Sequence, residues 1–246
     1  MLRSLICILC LSHQLSALSH EFYIGGHHNY TNVHSNNAFD VEGYQTGVAA
    51  GYEIECNCYF AEAAYEGYWT IVNAVGSPCD TSALTEHLMW LRLGYSFDLS
   101  CVYRFKPYVG VGYNYYENSQ DPDSLPLDWR YKKIFIPVGF LVEGPLCRDL
   151  YFGLRGEWRP DVYSTLKVGT TETIETDLKL AHGFRIETPL TYFFDWSHCY
   201  HIQFVPFYDW NRFGESEEEN SNGIVLPIDS ETRWNIGFRV LLGVRF

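Results

Sequence analysis

Apolar residues alternate with polar or small residues along most of the chain, and a period of two is typical of β-strands. The C-terminal segment shows the pattern most clearly, with an apolar parity made up of Trp234, Ile236, Phe238, Val240, Leu242, Val244 and Phe246. The intervening positions include Asn235, Gly237 and Arg239. This segment is therefore predicted to be a strand with one apolar face.

The same alternation recurs in about ten segments. They are 22–30, 44–54, 62–71, 89–97, 106–115, 134–142, 150–158, 178–186, 200–210 and 234–246. Each has roughly the length that a tilted strand needs to cross a lipid bilayer, about 10 residues. The pattern predicts an all-β fold, a single antiparallel up-and-down transmembrane β-barrel over residues 20–246. Ten strands are expected, and eight are the alternative.

The connections between these segments fall into two alternating sets. Those near 54–58, 97–101, 144–149 and 188–198 are mostly short. Longer connections, rich in Asn, Ser, Asp and Gly, are expected at 31–43, 73–82, 117–130, 161–176 and 212–232. Short turns on one side and long loops on the other are typical of outer-membrane barrels, whose turns face the periplasm.

Two features favour a membrane barrel over a soluble one. Glycines such as Gly47, Gly51, Gly110 and Gly112 occupy the polar parity, and glycine suits a crowded, curved interior better than a solvated face. Aromatic residues also mark both ends of the apolar stretches, as membrane interfaces require. They are Trp69, Tyr113, Tyr115, Trp158, Trp210 and Trp234 near the loops, and Tyr95, Phe97, Tyr103, Tyr192, Phe194 and Phe246 near the turns.

The first nineteen residues have the features of an export signal. Arg3 precedes an apolar run from Leu5 to Leu11, and the small residues Ala17 and Ser19 stand before His20 as in a cleavage site. A signal peptide over residues 1–19 is expected, with the mature chain beginning at His20. A buried N-terminal helix is the alternative interpretation.

Composition narrows the class of protein further. The chain of 246 residues has 17 Lys and Arg against 30 Asp and Glu, a net charge of −13. A phosphate-binding surface needs clustered basic residues, so nucleic acid is not an expected partner. The expected long loops hold nearly all of the negative charge, whereas the strands and turns are close to neutral.

Two segments resemble the small outer-membrane β-barrels of Gram-negative bacteria, of the OmpA-like or porin-like kind. They are the PYVGVGYNY run from Pro107 to Tyr115 and the alternating C-terminal strand. In that superfamily a terminal aromatic residue with apolar residues at alternate positions is read by the barrel-assembly machinery. The resemblance implies that Phe246, Val244, Leu242, Val240 and Phe238 form this assembly signal. It also implies integral outer-membrane location, with outer-membrane lipid, lipopolysaccharide and the assembly machinery as partners, and it transfers no activity.

Charged residues of both signs lie on the parity assigned to the lumen. Unpaired charges in a narrow interior are costly, so these side chains are expected to form ion pairs that plug the barrel. The predicted network comprises Arg155, Glu157, Arg159, Arg185, Glu187, Glu143 and Arg239. The alternative is a constriction that selects ions in a narrow, cation-preferring porin.

Cysteines cluster at the turn end of the predicted barrel. Cys56, Cys58, Cys101, Cys147 and Cys199 all lie at or beside the short turns. They are candidates for intermolecular disulfides that tie barrels to neighbouring envelope proteins, resembling chlamydial-type cysteine-rich outer-membrane proteins. Intramolecular pairs, such as Cys56 or Cys58 with Cys101, are the alternative. A zinc site is disfavoured because a second pair of ligands is missing.

Catalytic constellations are weak in this sequence. Asp209 with Asn211 is comparable in position to the rim residues of omptin proteases, but no histidine stands beside them, and His34 with Asp80 and Ser82 share only a loose spacing. No enzyme activity, metal or cofactor is expected. The leading interpretation is a plugged barrel with a structural or surface-binding role, followed by a narrow porin and then by a lipid-modifying enzyme or protease.

Overall fold

The computed structural model describes residues 18–35, 40–75, 81–100, 102–120, 129–169, 174–194, 197–216 and 230–246. In these residues ten antiparallel strands close into one barrel, which confirms the all-β barrel and the count of ten strands. No helix occurs in the described ranges, and accordingly none there is long and apolar enough to cross a membrane.

The strands follow one another around the barrel in chain order. They are β1 (Leu18–Ser35), β2 (Asp40–Cys56), β3 (Tyr59–Val75), β4 (Thr81–Tyr95), β5 (Arg104–Gln120), β6 (Trp129–Phe135 and Val138–Pro145), β7 (Leu150–Val168), β8 (Ile174–Asp177, His182–Glu187 and Leu190–Phe193), β9 (Tyr200–Phe213) and β10 (Glu231–Arg245). A two-residue segment, Phe97–Asp98, folds back on the start of β5 in the turn after β4.

The barrel is closed by pairing between its first and last strands. Phe22 pairs with Val244, and the ladder continues to Ser35 opposite Glu231. Every strand then hydrogen-bonds to a neighbour on each side, so the described part of the sheet leaves no long open edge. β10, which carries the predicted assembly signal, is therefore paired on both sides and takes part in closing the barrel.

The strands are longer than the alternation predicts. β1 has 18 residues and β7 has 19, whereas about 9–11 suffice to cross a bilayer. The expected loop at 161–176 is wrong for most of its length, because 161–168 continue β7 and 174–177 belong to β8. The apolar outer band runs from Val244 to Trp234, about 33 Å along the strand, or about 25 Å when tilted by about 40°. Much of the additional strand length lies beyond this band, at the loop end.

Two strands are interrupted where the ladder accommodates irregularities. A bulge lies between Ile134 and Phe135, opposite Asp161 and Tyr163 of β7, and β8 is broken at 178–181 and 188–189. The bulge inserts one extra residue, so the inward parity of β7 changes from odd to even numbers beyond it. Ser164 and Leu166 consequently point into the barrel.

Glycine on the inward parity makes room for large interior rings. A Cβ atom added at Gly112 would lie 2.1 Å from the ring of Phe135, and one added at Gly51 would lie 2.2 Å from the phenol of Tyr23. Both distances are far below van der Waals contact. The outward face has the opposite character, with exposed aliphatic side chains that include Ile24, Leu93, Val111, Ile236 and Leu242.

Candidate functional site

The middle of the barrel interior is filled by charged side chains, which we call the ion-pair belt. Its members are Glu62, Glu66, Arg92, Arg155, Glu157, Arg159, Arg185, Glu187, Asp209 and Arg239. They come from six strands, and each arginine contacts carboxylates on other strands. The inward parity of the strands, which the sequence predicts, brings these groups together.

One pair in the belt reaches across the whole barrel. Arg185 on β8 donates from Nη1 and Nη2 to the two carboxylate oxygens of Glu66 on β3, at 2.8 and 2.9 Å. β8 and β3 are five strands apart in a ring of ten, so they lie on opposite walls. Arg239 on β10 also donates to Glu66. The lumen is therefore bridged from wall to wall at this level.

Further pairs extend the belt sideways. Arg92 contacts both Glu62, at 3.0 Å, and Glu157, at 2.6 Å. Arg159 contacts the same Glu157, at 2.6 Å, and also Asp209, at 2.9 Å. Burying so many charges is tolerated only where each has partners of opposite sign. The shared carboxylates provide these partners and link the separate pairs into one network.

Six of the seven network residues named from the sequence lie in the belt, and Glu143 does not. Glu143 instead contacts Arg104 at 2.8 Å and Lys106 at 3.3 Å, closer to the turns. The expected contact between the neighbouring strands β7 and β8 is present but long, with Arg155 and Glu187 3.4 Å apart. Shorter contacts link strands that are not neighbours, as between Arg239 and Glu187 at 2.7 Å, or lie within one strand, as between Arg185 and Glu187 at 2.7 Å.

Several interior charges lie beyond the segments that the alternation identifies. Glu86 pairs with Arg233 at 2.5 Å, and Lys133 pairs with Asp161 at 2.9 Å. The sequence pattern assigns Asp161 and Glu231 to loops, which the structure corrects, because both are buried inside the barrel. The alternation depends on an apolar outer face, and this face is no longer apolar where the strands extend beyond the membrane. The sequence pattern therefore misses these strand ends.

Lys179 has the same sequence parity as Arg185 and Glu187, which predicts a position in the lumen, but its side chain lies outside the lumen. Its side chain is 56% exposed, because β8 is interrupted at 178–181 and loses its alternation there. The ammonium group donates to Glu215 in the connection after β9, at 2.6 Å. This hydrogen bond lowers the pKa of the Glu215 carboxyl group.

An apolar layer lies in the interior at the loop end. It consists of Val33, Leu84, Tyr116, Tyr131, Leu166, Val168, Leu178 and Phe213. The rings of Tyr131 and Phe213 lie 4.7 Å apart, although their strands, β6 and β9, are three apart. Arg233 stacks over Tyr116 with 5.0 Å from its guanidinium carbon to the ring centre. The sequence pattern does not reveal this layer, because alternation alone suggests an inward parity that is polar throughout.

A polar cavity of about 420 Å³ lies at the opposite, turn end of the interior. Glu53, Lys106 and Glu143 line one part of its wall, and Thr191 and Gln203 line another. Glu62, Arg155, Glu187 and Arg239 of the ion-pair belt also border it. The interior thus has three levels, which are the cavity, the belt and the apolar layer.

The described cysteines lie at the turn end, where the terminal strand also ends. Cys56, Cys58, Cys147 and Cys199 are free thiols, and the first and third are exposed. Cys101 lies outside the described residues. The side chains of Phe238, Val240, Leu242 and Phe246 are exposed on the outer face of β10. Val244 shares their parity on the same strand.

The structure describes only some of the residues weighed for catalysis. Asp209 is not at the rim, because it is buried in the belt and bound to Arg159. His34 is exposed at the loop end, and its Nδ1 lies 2.7 Å from Asp40 Oδ1. Asp80 lies outside the described residues, as does the side chain of Ser82. Within the described ranges no group of three His, Cys, Asp or Glu side chains is placed to hold a metal ion.

Comparisons with known proteins agree with this architecture. The outer membrane protein beta-barrel domain family matches residues 4–246, whereas no curated protein matches. The outer membrane protease OmpT of Escherichia coli has a TM-score of 0.61 at 10% identity, over 93% of this chain and 96% of that chain. The translocator domain of autotransporter NalP from Neisseria meningitidis has a TM-score of 0.48 at 10% identity, over 99% and 97%. Ail of Yersinia pestis has a TM-score of 0.37 at 9% identity, over 93% and 98%.

The family match covers nearly the whole chain, and the resemblance inferred from the sequence is confirmed. At such low identity the similarity to OmpT shows a common fold and carries no information about activity. The chain belongs to the outer membrane protein beta-barrel domain family and is an integral protein of the outer membrane.

Proposed function

We propose that this protein is a closed barrel with a structural or surface-binding role rather than a pore. The observation that carries the proposal is the pair of parallel hydrogen bonds between Arg185 and Glu66 on opposite walls of the barrel. A conducting lumen needs a continuous wet path. The ion-pair belt and the apolar layer each fill the cross-section at a different level.

Solute flux into vesicles tests the closed lumen. The folded protein is incorporated into liposomes, which are then placed in an isotonic arabinose solution. We expect no swelling beyond that of protein-free liposomes, because neither level leaves room for a hydrated sugar. Folding is verified by the heat-shifted mobility of the barrel on a gel. Swelling that rises with the amount of folded protein would contradict the proposal and favour the porin.

The turn-end cysteines support a structural role through cross-links to neighbouring envelope proteins. Cys56 and Cys147 are exposed and free, so their thiols are accessible to a second chain. The periplasm permits disulfide formation. A barrel that its own strand ladder already closes needs few internal disulfides. We infer that the turn-end thiols react between molecules rather than within one.

Non-reducing gels of native membranes test the cross-links. We expect slowly migrating species that collapse to monomer when a reductant is added. Serine substitution of Cys56, Cys58, Cys101, Cys147 and Cys199 together should remove them. The matched control is Cys79→Ser, which changes the cysteine predicted to lie in an outer loop. Monomer alone in untreated membranes, or an unchanged pattern in the five-serine variant, would refute the cross-linking role.

Proteolysis at the loop end is the second candidate. The observation in its favour is the exposed pair of His34 and Asp40, because a carboxylate can orient a histidine as a general base. OmpT, whose fold is similar, is an outer membrane protease. Cleavage of a mixed peptide library by the folded protein, abolished in His34→Ala, would support this activity. No cleavage by the folded barrel would exclude it under the assay conditions.

A further inference from the structure

The cavity at the turn end has walls of contrasting chemistry. Lys106 Nζ, on β5, lies 3.0 Å from Glu53 and 3.2 Å from Glu55, both on β2, and 3.3 Å from Glu143 on β6. On the side of β8 and β9 the lining includes hydroxyl and amide groups, and Gln203 donates to Thr191 at 2.9 Å, while Glu187 of the ion-pair belt lies at the inner end. A ligand in this cavity therefore meets charged groups as well as hydroxyl and amide groups.

Arg155 is the least firmly held arginine of the ion-pair belt. Its two contacts, to Glu62 and to Glu187, are both 3.4 Å long. Every other arginine in the belt has at least one carboxylate contact of 2.9 Å or less. Arg155 Nε is buried and has no hydrogen-bond partner, and the side chain lines the cavity. This guanidinium therefore retains capacity to bind an incoming carboxylate.

Carboxylates outnumber basic groups nearer the mouth of the cavity. Glu53, Glu55 and Glu143 share Lys106, while Arg104 contacts Glu55 and Glu143. Asp98, from the folded turn after β4, also lines the cavity. Three glutamates thus share two basic side chains. Excess negative charge in a narrow polar cleft attracts cationic groups.

We propose that this cavity binds a small zwitterion of the short-peptide class. Arg155 receives the carboxylate of the ligand, and Glu53 at the more acidic wall receives its ammonium group. Glu53 on β2 and Arg155 on β7 are five strands apart in the ring of ten, so they line opposite walls of the cavity. Side chains that reach inward from these walls can hold the two ends of a dipeptide. Short turns of bacterial barrels face the periplasm, which places the ligand there.

Calorimetric titration with three matched probes tests the proposal. The probes are alanyl-alanine, its N-acetyl derivative, which lacks the cation, and its C-terminal amide, which lacks the anion. The full-length folded barrel in detergent should bind alanyl-alanine saturably. Each capped probe should bind at least about tenfold more weakly, equivalent to about 1.4 kcal/mol. No saturable binding of alanyl-alanine, or equal binding of a capped probe, would overturn the proposal.

Two substitutions locate the site and separate the two ends. Arg155→Gln should weaken alanyl-alanine at least about tenfold and leave the affinity for the C-terminal amide nearly unchanged. Glu53→Gln should weaken alanyl-alanine and leave the affinity for the N-acetyl probe nearly unchanged. The control is Arg212→Gln, which removes an exposed arginine on β9. If either cavity variant folds and binds all probes as the wild type does, the assignment of that end is wrong.

Discussion

Arg185 and Glu66 join opposite walls of the barrel through two parallel hydrogen bonds of 2.8 and 2.9 Å. Paired N–H···O bonds between a guanidinium and a carboxylate fix orientation as well as distance. Arg185 also lies over the ring of Phe207, 4.6 Å from its centre. The pair therefore acts as a rigid strut whose ends are set by strands β8 and β3, and it is the contact on which the proposal of a closed lumen rests.

Removing one partner of this strut should destabilise the barrel strongly. Arg185→Met or Glu66→Gln leaves buried charge with fewer partners, and we expect each to lower the free energy of unfolding by about 3–5 kcal/mol. The double variant should lose clearly less free energy of unfolding than the sum of the two single losses, because it removes both charges. Urea unfolding of the vesicle-folded protein, followed by tryptophan fluorescence, measures all three. Strict additivity would show that the pair contributes no coupling.

Replacing a glycine on the lumen face should prevent folding, whereas replacing a glycine on the lipid face should not. Gly112→Val directs a side chain into the ring of Phe135, whereas no atom lies within 4 Å of a Cβ atom added at Gly26. We expect Gly112→Val to abolish the heat-shifted folded form and Gly26→Val to retain it. Adding Phe135→Ala to Gly112→Val should restore some folding, because it vacates the volume in conflict. Equal folding of both single variants would refute the crowding argument.

Lys106 should hold together three carboxylates that otherwise repel one another. Replacing it with Met leaves Glu53, Glu55 and Glu143 around the vacated ammonium position. We expect a loss of stability of about 3–5 kcal/mol, partly restored by millimolar Ca²⁺, which prefers carboxylate oxygens. Lys132→Met, which changes an exposed lysine on β6, is the control. Equal effects of Ca²⁺ on both variants would argue against the cluster.

The ion pair of Lys179 and Glu215 gives a prediction about protonation at the loop end. Because Lys179 lowers the pKa of Glu215, the Lys179→Met variant should show a higher pKa for that carboxyl group. The stabilisation from this pair is present at neutral pH and is lost as the pH falls through the lowered pKa. NMR titration of the labelled glutamate side chain measures the change. An unchanged titration curve would contradict the pairing.

The barrel itself could be predicted because the membrane enforces its pattern. Lipid outside and a crowded lumen inside impose strict alternation along segments such as Trp234–Phe246. Beyond the membrane this contrast weakens, since the outward face meets water while the interior becomes apolar around Leu166 and Phe213. The sequence pattern therefore assigns the strand ends to loops. The bulge at Ile134 and Phe135 reverses the parity of β7, which alternation alone does not reveal.

The members of the ion-pair belt could be predicted, but most of their partners could not. Parity places Arg155, Glu157, Arg185 and Glu187 inside the barrel. Which residue each one contacts depends on the tilt and register of all ten strands. The pairing of Arg185 with Glu66 joins positions 119 residues apart, and a sequence read segment by segment favours adjacent strands instead. Glu143 forms ion pairs inside the barrel, but with Arg104 and Lys106 of the neighbouring strand β5 and not with the arginines of the belt.

Single-channel conductance in a planar bilayer tests the central claim of a closed lumen most directly. The detergent-folded wild-type barrel, with its heat-shifted mobility verified, should give no unitary current steps. The comparison is a variant without the strut, Arg185→Ala with Glu66→Ala, that retains the folded form. This double variant should not conduct. Current steps should appear only when Tyr131→Ala and Phe213→Ala are added to remove the apolar layer as well. Silence from the wild type is the predicted result. Steady, cation-selective openings from the wild type would contradict the closed barrel and establish a pore.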